Sequence, residues 1–239
     1  MTDRIDLQPV EPTEATVLTA AAQIITSRLR AEGSGAGVCI ANGMLVLSVR
    51  LANRPRVARL ATSVGRLELR PVLEVVRSPV SGLNCSDPST YPEAEPGQVA
   101  VMCARTLDQQ TGGYLPISQW EALKVGPATS SEAIVESAAA AQREFSWSVD
   151  VTLTTNGAAG FKRITGELAC NPHLAPTRQL AVILDGLIEG HPQMGEEIQC
   201  NSGISGDQME ISGFTEERAR DVAILLRFGP LPIRLRVKA

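Results

Sequence analysis

Gln179-Leu180-Ala181-Val182-Ile183-Leu184-Asp185-Gly186-Leu187-Ile188-Glu189-Gly190-His191-Pro192 opens the part of the chain that decides the fold. Leu180 to Leu184 is a short apolar run of the kind a buried strand needs. Asp185-Gly186 is a tight hairpin turn, because glycine accepts positive φ freely and aspartate at modest cost. Ile188 resumes the apolar pattern beyond the turn. The same part closes on Ile211-Ser212-Gly213-Phe214-Thr215-Glu216-Glu217-Arg218-Ala219-Arg220-Asp221-Val222-Ala223-Ile224-Leu225-Leu226-Arg227-Phe228-Gly229-Pro230-Leu231-Pro232. Thr215 is placed to cap a helix, and Glu216 and Glu217 sit at its positive end. Ala219, Val222, Ala223 and Leu226 then fall on one face. Gly229 supplies the stop and Pro230 forbids continuation.

The order of apolar strand, Leu-Asp-Gly, apolar strand, Pro, then Ile-x-Gly-Phe-Thr-x-Glu-x-Ala with a later Leu-x-x-Gly-x-Leu-Pro resembles the large extracytoplasmic domain of SecD, an accessory membrane subunit of the Sec protein-export channel. The chain departs from that pattern at Cys200-Asn201-Ser202 and at Pro230, where the family has Ala. The first fifty residues look like the start of the same domain.

Working outward, Ile5 to Val10 alternates as a first strand. A helix opening at Pro12-Thr13 has Val17, Ala21, Ile24, Ile25 and Leu29 on one face and ends at Gly33. Val38 to Ala41 and Met44 to Leu51 are strands joined by Asn42-Gly43. A helix from Pro55 turns Val57, Leu60 and Val64 inward, and Leu67, Leu69 and Leu73 begin another strand. This β-α-β-β-α-β order is ferredoxin-like. Pro79, Gly82, Pro88, Pro92, Pro96 and Gly97 mark an irregular excursion, and Gly112-Gly113 another break. Val99 to Ala104 reads as a strand, and an Ala-rich helix capped by Ser130 or Ser131 runs through Ala141. Phe145, Trp147, Val149, Val151 and Leu153 alternate with polar residues as a half-buried strand. A short helix spans about Ala158 to Leu168. Ile233 to Lys238 alternates apolar with basic residues, a strand with one wet face.

The expected fold is α+β. A ferredoxin-like base is made of residues 1–77 plus 231–239, and a head subdomain of residues 78–230 is inserted into it. In the SecD-like arrangement the last strand returns to the base. The hinge falls where Gly and Pro cluster at the two crossings: Ser78, Pro79, Gly229, Pro230 and Pro232.

The 239 residues carry a net charge of −4, which argues against nucleic acid as a partner. No run of 18 apolar residues exists, and Met1 to Asp6 lacks a signal-peptide core. The resemblance therefore implies either an excised piece of a longer protein or a gene that lost its membrane part. Of five cysteines, Cys39 in its apolar strand reads as the buried free thiol. Cys85 and Cys103 flank the Pro-rich loop, and SecD-like domains of high-GC Gram-positive (actinobacterial) type look similar there. That favours a disulfide and an oxidising compartment. Cys170 and Cys200 are open to a disulfide, to zinc with His173 and His191, or to remaining thiols.

No catalytic motif is present, and no cofactor is expected. Asp185 reads as a turn residue, not an acid catalyst. Trp120, in a loop-like context, is the candidate for touching an unfolded peptide. The resemblance implies a non-catalytic extracytoplasmic domain that binds preprotein and works with the Sec channel and a SecF-like subunit. The alternative is a free-standing cytoplasmic protein that binds or modifies a peptide or small molecule.

Overall fold

Alternation of buried and solvated residues sets the first strand. The structure, a computed structural model, describes residues 2–77, 81–87, 91, 94–106, 115–130, 133–144 and 146–238. In β1 (Thr2–Pro9), Ile5 and Leu7 are fully buried while Arg4 is exposed. Helix α1 (Ala15–Glu32) buries Leu18, Ala21, Ile25 and Leu29, and Gly33 ends it in the left-handed conformation at φ 79°. β2 (Gly37–Ala41) and β3 (Met44–Arg50) form a hairpin across Asn42 and Gly43, both at positive φ, as the turn requires. Helix α2 (Arg54–Thr62) buries Val57 and Leu60.

The chain forms two compact units, residues 1–66 with 220–239 and residues 67–219. Both divisions fall earlier than the expected boundaries at 77 and 231. The reason lies in β4 (Leu67–Val76). The sequence reads it as the closing strand of the first module, but it pairs antiparallel with strands of the second unit. Its place beside β1 is taken by β12 (Leu235–Val237), which runs antiparallel with Leu7 opposite Val237. The first unit thus holds a four-stranded sheet in the order β12-β1-β3-β2.

Helix α4 (Glu216–Arg227) is capped as its sequence requires, since the Arg218 amide donates to the Thr215 hydroxyl at 3.3 Å. Ala219, Val222, Ala223 and Leu226 are all buried. Two buried charged groups tie the first unit together. The Arg28 guanidinium, wholly inaccessible, donates to the carbonyls of Leu60, Ser63, Val64 and Gly229 at 2.6–3.1 Å. Asp221, 1% exposed, accepts from Arg56 and Arg59 at 2.8 and 2.9 Å. Gly65 makes room for the arginine: at φ +84° a β-carbon there would lie 2.6 Å from an Arg28 nitrogen.

The second unit contains a closed barrel and a separate sheet. The barrel order is β10-β5-β6-β4-β9, from β5 (Ala100–Ala104), β6 (Glu121–Val125), β9 (Leu180–Leu184) and β10 (Leu187–Gly190). Val72, Met102, Ala104, Leu123, Val125, Ala181, Ile183 and Ile188 fill its interior. The β9–β10 turn has Asp185 at φ 51° and Gly186 at φ 83°. The sheet order is β11-β8-β7, from β7 (Val135–Gln142), β8 (Trp147–Leu153) and β11 (Gln208–Phe214). Helix α3 (Thr155–Leu168) is capped by Thr154, whose hydroxyl accepts from the Gly157 amide at 3.1 Å.

Two expectations are overturned. The Ala-rich segment ending at Ala141 is β7, not a helix. Alanine's helix propensity is worth only a few tenths of a kcal/mol per residue. The backbone ladder to β8 and burial of Ala138 opposite Val151 outweigh it. Ser130 caps no helix, and Ser131 and Phe145 lie outside the described residues, as do Gly112 and Gly113. Cys39 is free but exposed, because β2 is an edge strand of its sheet.

Candidate functional site

Strand pairing in the barrel assembles a cluster that sequence spacing hides. Parallel pairing of Ile188 with Ala104 turns both into the barrel interior, and their neighbours Glu189 and Arg105 therefore point outward together. Glu189 is 1% exposed and forms an ion pair with Arg105 at 3.1 Å. A second short contact comes from Arg218. One carboxylate between two guanidiniums is a workable way to bury it. The Arg105 guanidinium lies 5.3 Å from the centre of the Trp120 ring, within cation–π range. The indole N–H donates to the Leu115 carbonyl at 3.1 Å. Trp120 is half-buried, held by one hydrogen bond and one stacked cation.

Trp120 forms part of the wall of an open cleft of about 1090 Å3. Leu73, Val75, Leu83, Ala122 and Pro176 supply apolar wall, while Glu74, Arg77 and Glu121 supply charge. Cys85 also lines it. The structure bonds Cys85 to Cys103 across 18 residues of sequence, fastening the loop to β5. Tyr91 donates to the Cys85 carbonyl at 3.0 Å. Burial raises the pKa of this phenol above its ordinary value, against the pull of Arg105, so the hydroxyl stays a donor at neutral pH.

Cys170 and Cys200 are also bonded to each other. Their thiolates are therefore not offered to zinc, and among the described residues no group of three or more His, Cys, Asp or Glu could hold a metal. His173 reaches Glu196 at 3.4 Å. His191 sits elsewhere, with its Nδ1 buried and without a hydrogen-bond partner among the described residues. Burial lowers its pKa below 6.5, with Glu121 opposing. The folded state therefore binds the proton less well than the unfolded chain. Stability is full above about pH 6.5 and falls as the pH drops through the depressed folded value. His191→Gln is expected to flatten that acid-side loss, seen by comparing melting temperatures of the two proteins at pH 7.5 and pH 5. An unchanged pH dependence would remove His191 as its source.

Of the hinge residues expected from sequence, Ser78 and Pro79 lie outside the described residues. Gly229, Pro230 and Pro232 lie inside the first unit, with the Gly229 carbonyl held by Arg28 at 2.7 Å. Sequence reasoning missed Arg105, Glu189 and Arg218 around Trp120. Charged residues at outward positions on or beside strands and on α4 read as solvated until the fold shows that they converge.

Residues 110–233, just over half the chain, match the family model described as SecDF, P1 head subdomain. The SecD protein translocase subunit of Prochlorococcus marinus is 35% identical over 89 residues, covering 37% of this chain and 17% of that protein. The corresponding subunit of Magnetococcus marinus is 38% identical over 88 residues, 36% of this chain and 14% of that one. The chain thus spans about a sixth or less of these relatives' length. Two solved structures share the fold at a TM-score of 0.65 and 23% identity over 99% of this chain. One is SecDF in a super-membrane-facing form, of which 29% is covered. The other is from work on SecDF as a membrane component that enhances protein export, with 98% of that chain covered. The chain belongs to the SecDF P1 head family, and its resemblance to the extracytoplasmic P1 domain of SecD holds. None of the described helices is long and apolar enough to cross a membrane.

Proposed function

We propose that this chain is the extracytoplasmic P1 part of a SecD-type subunit, with residues 1–66 and 220–239 as a ferredoxin-like base and residues 67–219 as the head. It binds translocating preprotein and assists its passage through the Sec channel, together with a SecF-like subunit. It does this by contact and not by catalysis. The single observation that carries the reading is the family match over residues 110–233. The sheet order β12-β1-β3-β2 supports the base assignment, since it is what β-α-β-β-α-β gives when β12 replaces the last strand. The two disulfides support an oxidising compartment, and the Cys85–Cys103 loop is the ground for a high-GC Gram-positive source. The hinge role stays with this reading: a swing about Gly229 to Pro232 would have to break the Arg28–Gly229 bond.

The cleft beside Trp120 is the proposed contact for an unfolded segment. Its volume suits several apolar side chains, and an indole there offers area at low entropy cost. A reduced, carboxymethylated unfolded protein is expected to quench or shift Trp120 fluorescence on binding, read in a Trp147→Phe background. Trp120→Ala should weaken the complex by roughly tenfold, as a central aromatic contact does. Equal affinity of the two proteins for the unfolded chain would take the binding role away from this cleft.

A further inference from the structure

The four strands of the first unit have two unlike faces. Ile5, Leu7, Leu45 and Leu47 are fully buried and Val49 is 2% exposed, so this face is packed. Side chains alternate along a strand, so Arg4, Asp6 and Gln8 of β1 and Val46, Ser48 and Arg50 of β3 take the opposite face. The register puts Arg236 beside Gln8. The Gln8 amide, with its oxygen turned toward Arg236, accepts from Nε at 2.5 Å. The ladder continues past both ends of β12: Val10 donates to the Arg234 carbonyl at 3.0 Å and Lys238 to the Asp6 carbonyl at 2.8 Å. Arg234 and Lys238 therefore share the face of Arg236, while Leu235 turns inward at 5% exposure.

This open face carries Arg4, Arg50, Arg234, Arg236 and Lys238 against Asp6, with Glu11 acting on Arg234 at the β12 edge, a net of +3 in a chain whose total is −4. All five cations are exposed. Asp6 is itself paired with Arg4 at 2.7 Å. The three outward positions of β2, Gly37, Cys39 and Ala41, add no charge. Arg66 crowds the β12 end of the unit closely enough that its charge, after burial, lowers the pKa of Arg234, with Glu11 opposing. An acidic chain gathers positive charge this way only at a cost in self-repulsion, which a surface of negative charge would relieve.

We propose that the open face of the β12-β1-β3-β2 sheet docks on anionic phospholipid headgroups at a membrane surface. The cations are spread over three neighbouring strands, not gathered round one pocket. That distribution fits a planar array of phosphates better than a single small anion. Each lysine or arginine brought to such a surface adds to the attraction, and salt screens it. This does not rest on the cleft or on preprotein binding.

The test is co-sedimentation of the full 239-residue chain with vesicles of mixed phosphatidylglycerol and phosphatidylcholine, and with vesicles of phosphatidylcholine alone. The protein is expected to bind the anionic vesicles, not the neutral ones, and to leave them at high salt. The combined variant Arg234→Gln, Arg236→Gln, Lys238→Gln should bind at least about tenfold more weakly. A second variant on other strands, Arg4→Gln with Arg50→Gln, should also weaken it, whereas Arg143→Gln in the other unit should not. Circular dichroism of each variant establishes that it is folded. No binding to anionic vesicles overturns the proposal, as does equal binding to neutral ones or binding undiminished in both face variants. Binding of polyglutamate through the same residues, without vesicle binding, would overturn it in favour of an acidic protein partner.

Discussion

Arg28→Leu is expected to destabilise the first unit by about 3–5 kcal/mol, the cost of leaving several buried carbonyls without this donor. Four carbonyls lose this donor at once, those of Leu60, Ser63, Val64 and Gly229, of which Val64 keeps the Leu231 amide. Two of them, Ser63 and Val64, sit just past the end of α2, where carbonyls have no helical partner to fall back on. Leucine brings no donor, and each carbonyl left buried and unpaired costs about 1–3 kcal/mol. The amide of Leu231 donates to the Val64 carbonyl at 2.8 Å and reports on this corner. Its hydrogen exchange should accelerate by about two to four orders of magnitude in the variant, the equivalent of that free energy. Arg30, exposed on the same helix, is the comparison: Arg30→Leu should stay within about 0.5 kcal/mol. If both variants unfold at the same denaturant concentration, the clamp contributes nothing.

Gly203→Ala carries the second large effect, and its origin is steric. The segment from Gly195 to Gly206 is strapped to α3. Cys200 is bonded to Cys170, Asn201 donates to the Gly166 carbonyl at 3.0 Å, and Ile204 donates to the Thr165 hydroxyl at 2.8 Å. At Gly203 the backbone has φ +68°, and a β-carbon would stand 1.9 Å from the Lys162 carbonyl oxygen. A side chain there must push the strap off the helix, and helix backbone does not yield. Left-handed strain adds about 1–2 kcal/mol and forced overpacking about 1–3 kcal/mol. The expected sum, about 3 kcal/mol, corresponds to a fall in melting temperature of roughly 6–12 °C for a chain of this size. Gly206 also has positive φ, +117°, but nothing lies within 4 Å of its β-carbon position. Gly206→Ala should therefore show the backbone cost alone. Equal losses at the two positions would show that close approach to α3 is not the cause.

The parts of this fold that could be read beforehand are those fixed by neighbours in sequence. Asp185-Gly186 and Asn42-Gly43 specify their turns by their own φ preferences, and Thr215 caps the helix that begins beside it. β7 could not be read that way, because its conformation is decided by the ladder to β8 and not by its own alanines. β4 was legible as a strand, but not as a barrel strand, since alternation says nothing about which sheet receives it. The buried arginines were the least legible. Arg28 meets a carbonyl 201 residues away, and nothing near either residue announces the other. At the cleft, Trp120 stood out as a loop aromatic, whereas Arg105 and Glu189 acquire their place beside it only when β5 and β10 pair.

The antiparallel pairing of β1 with β12 has a mechanical result. The beginning of β1 and the end of β12 leave the sheet toward the same side. Tension applied through the two ends therefore loads one rung of hydrogen bonds at a time, like a zipper. It does not shear the whole row together. The first unit should yield to pulling in this direction at low force, and close again when the load is released.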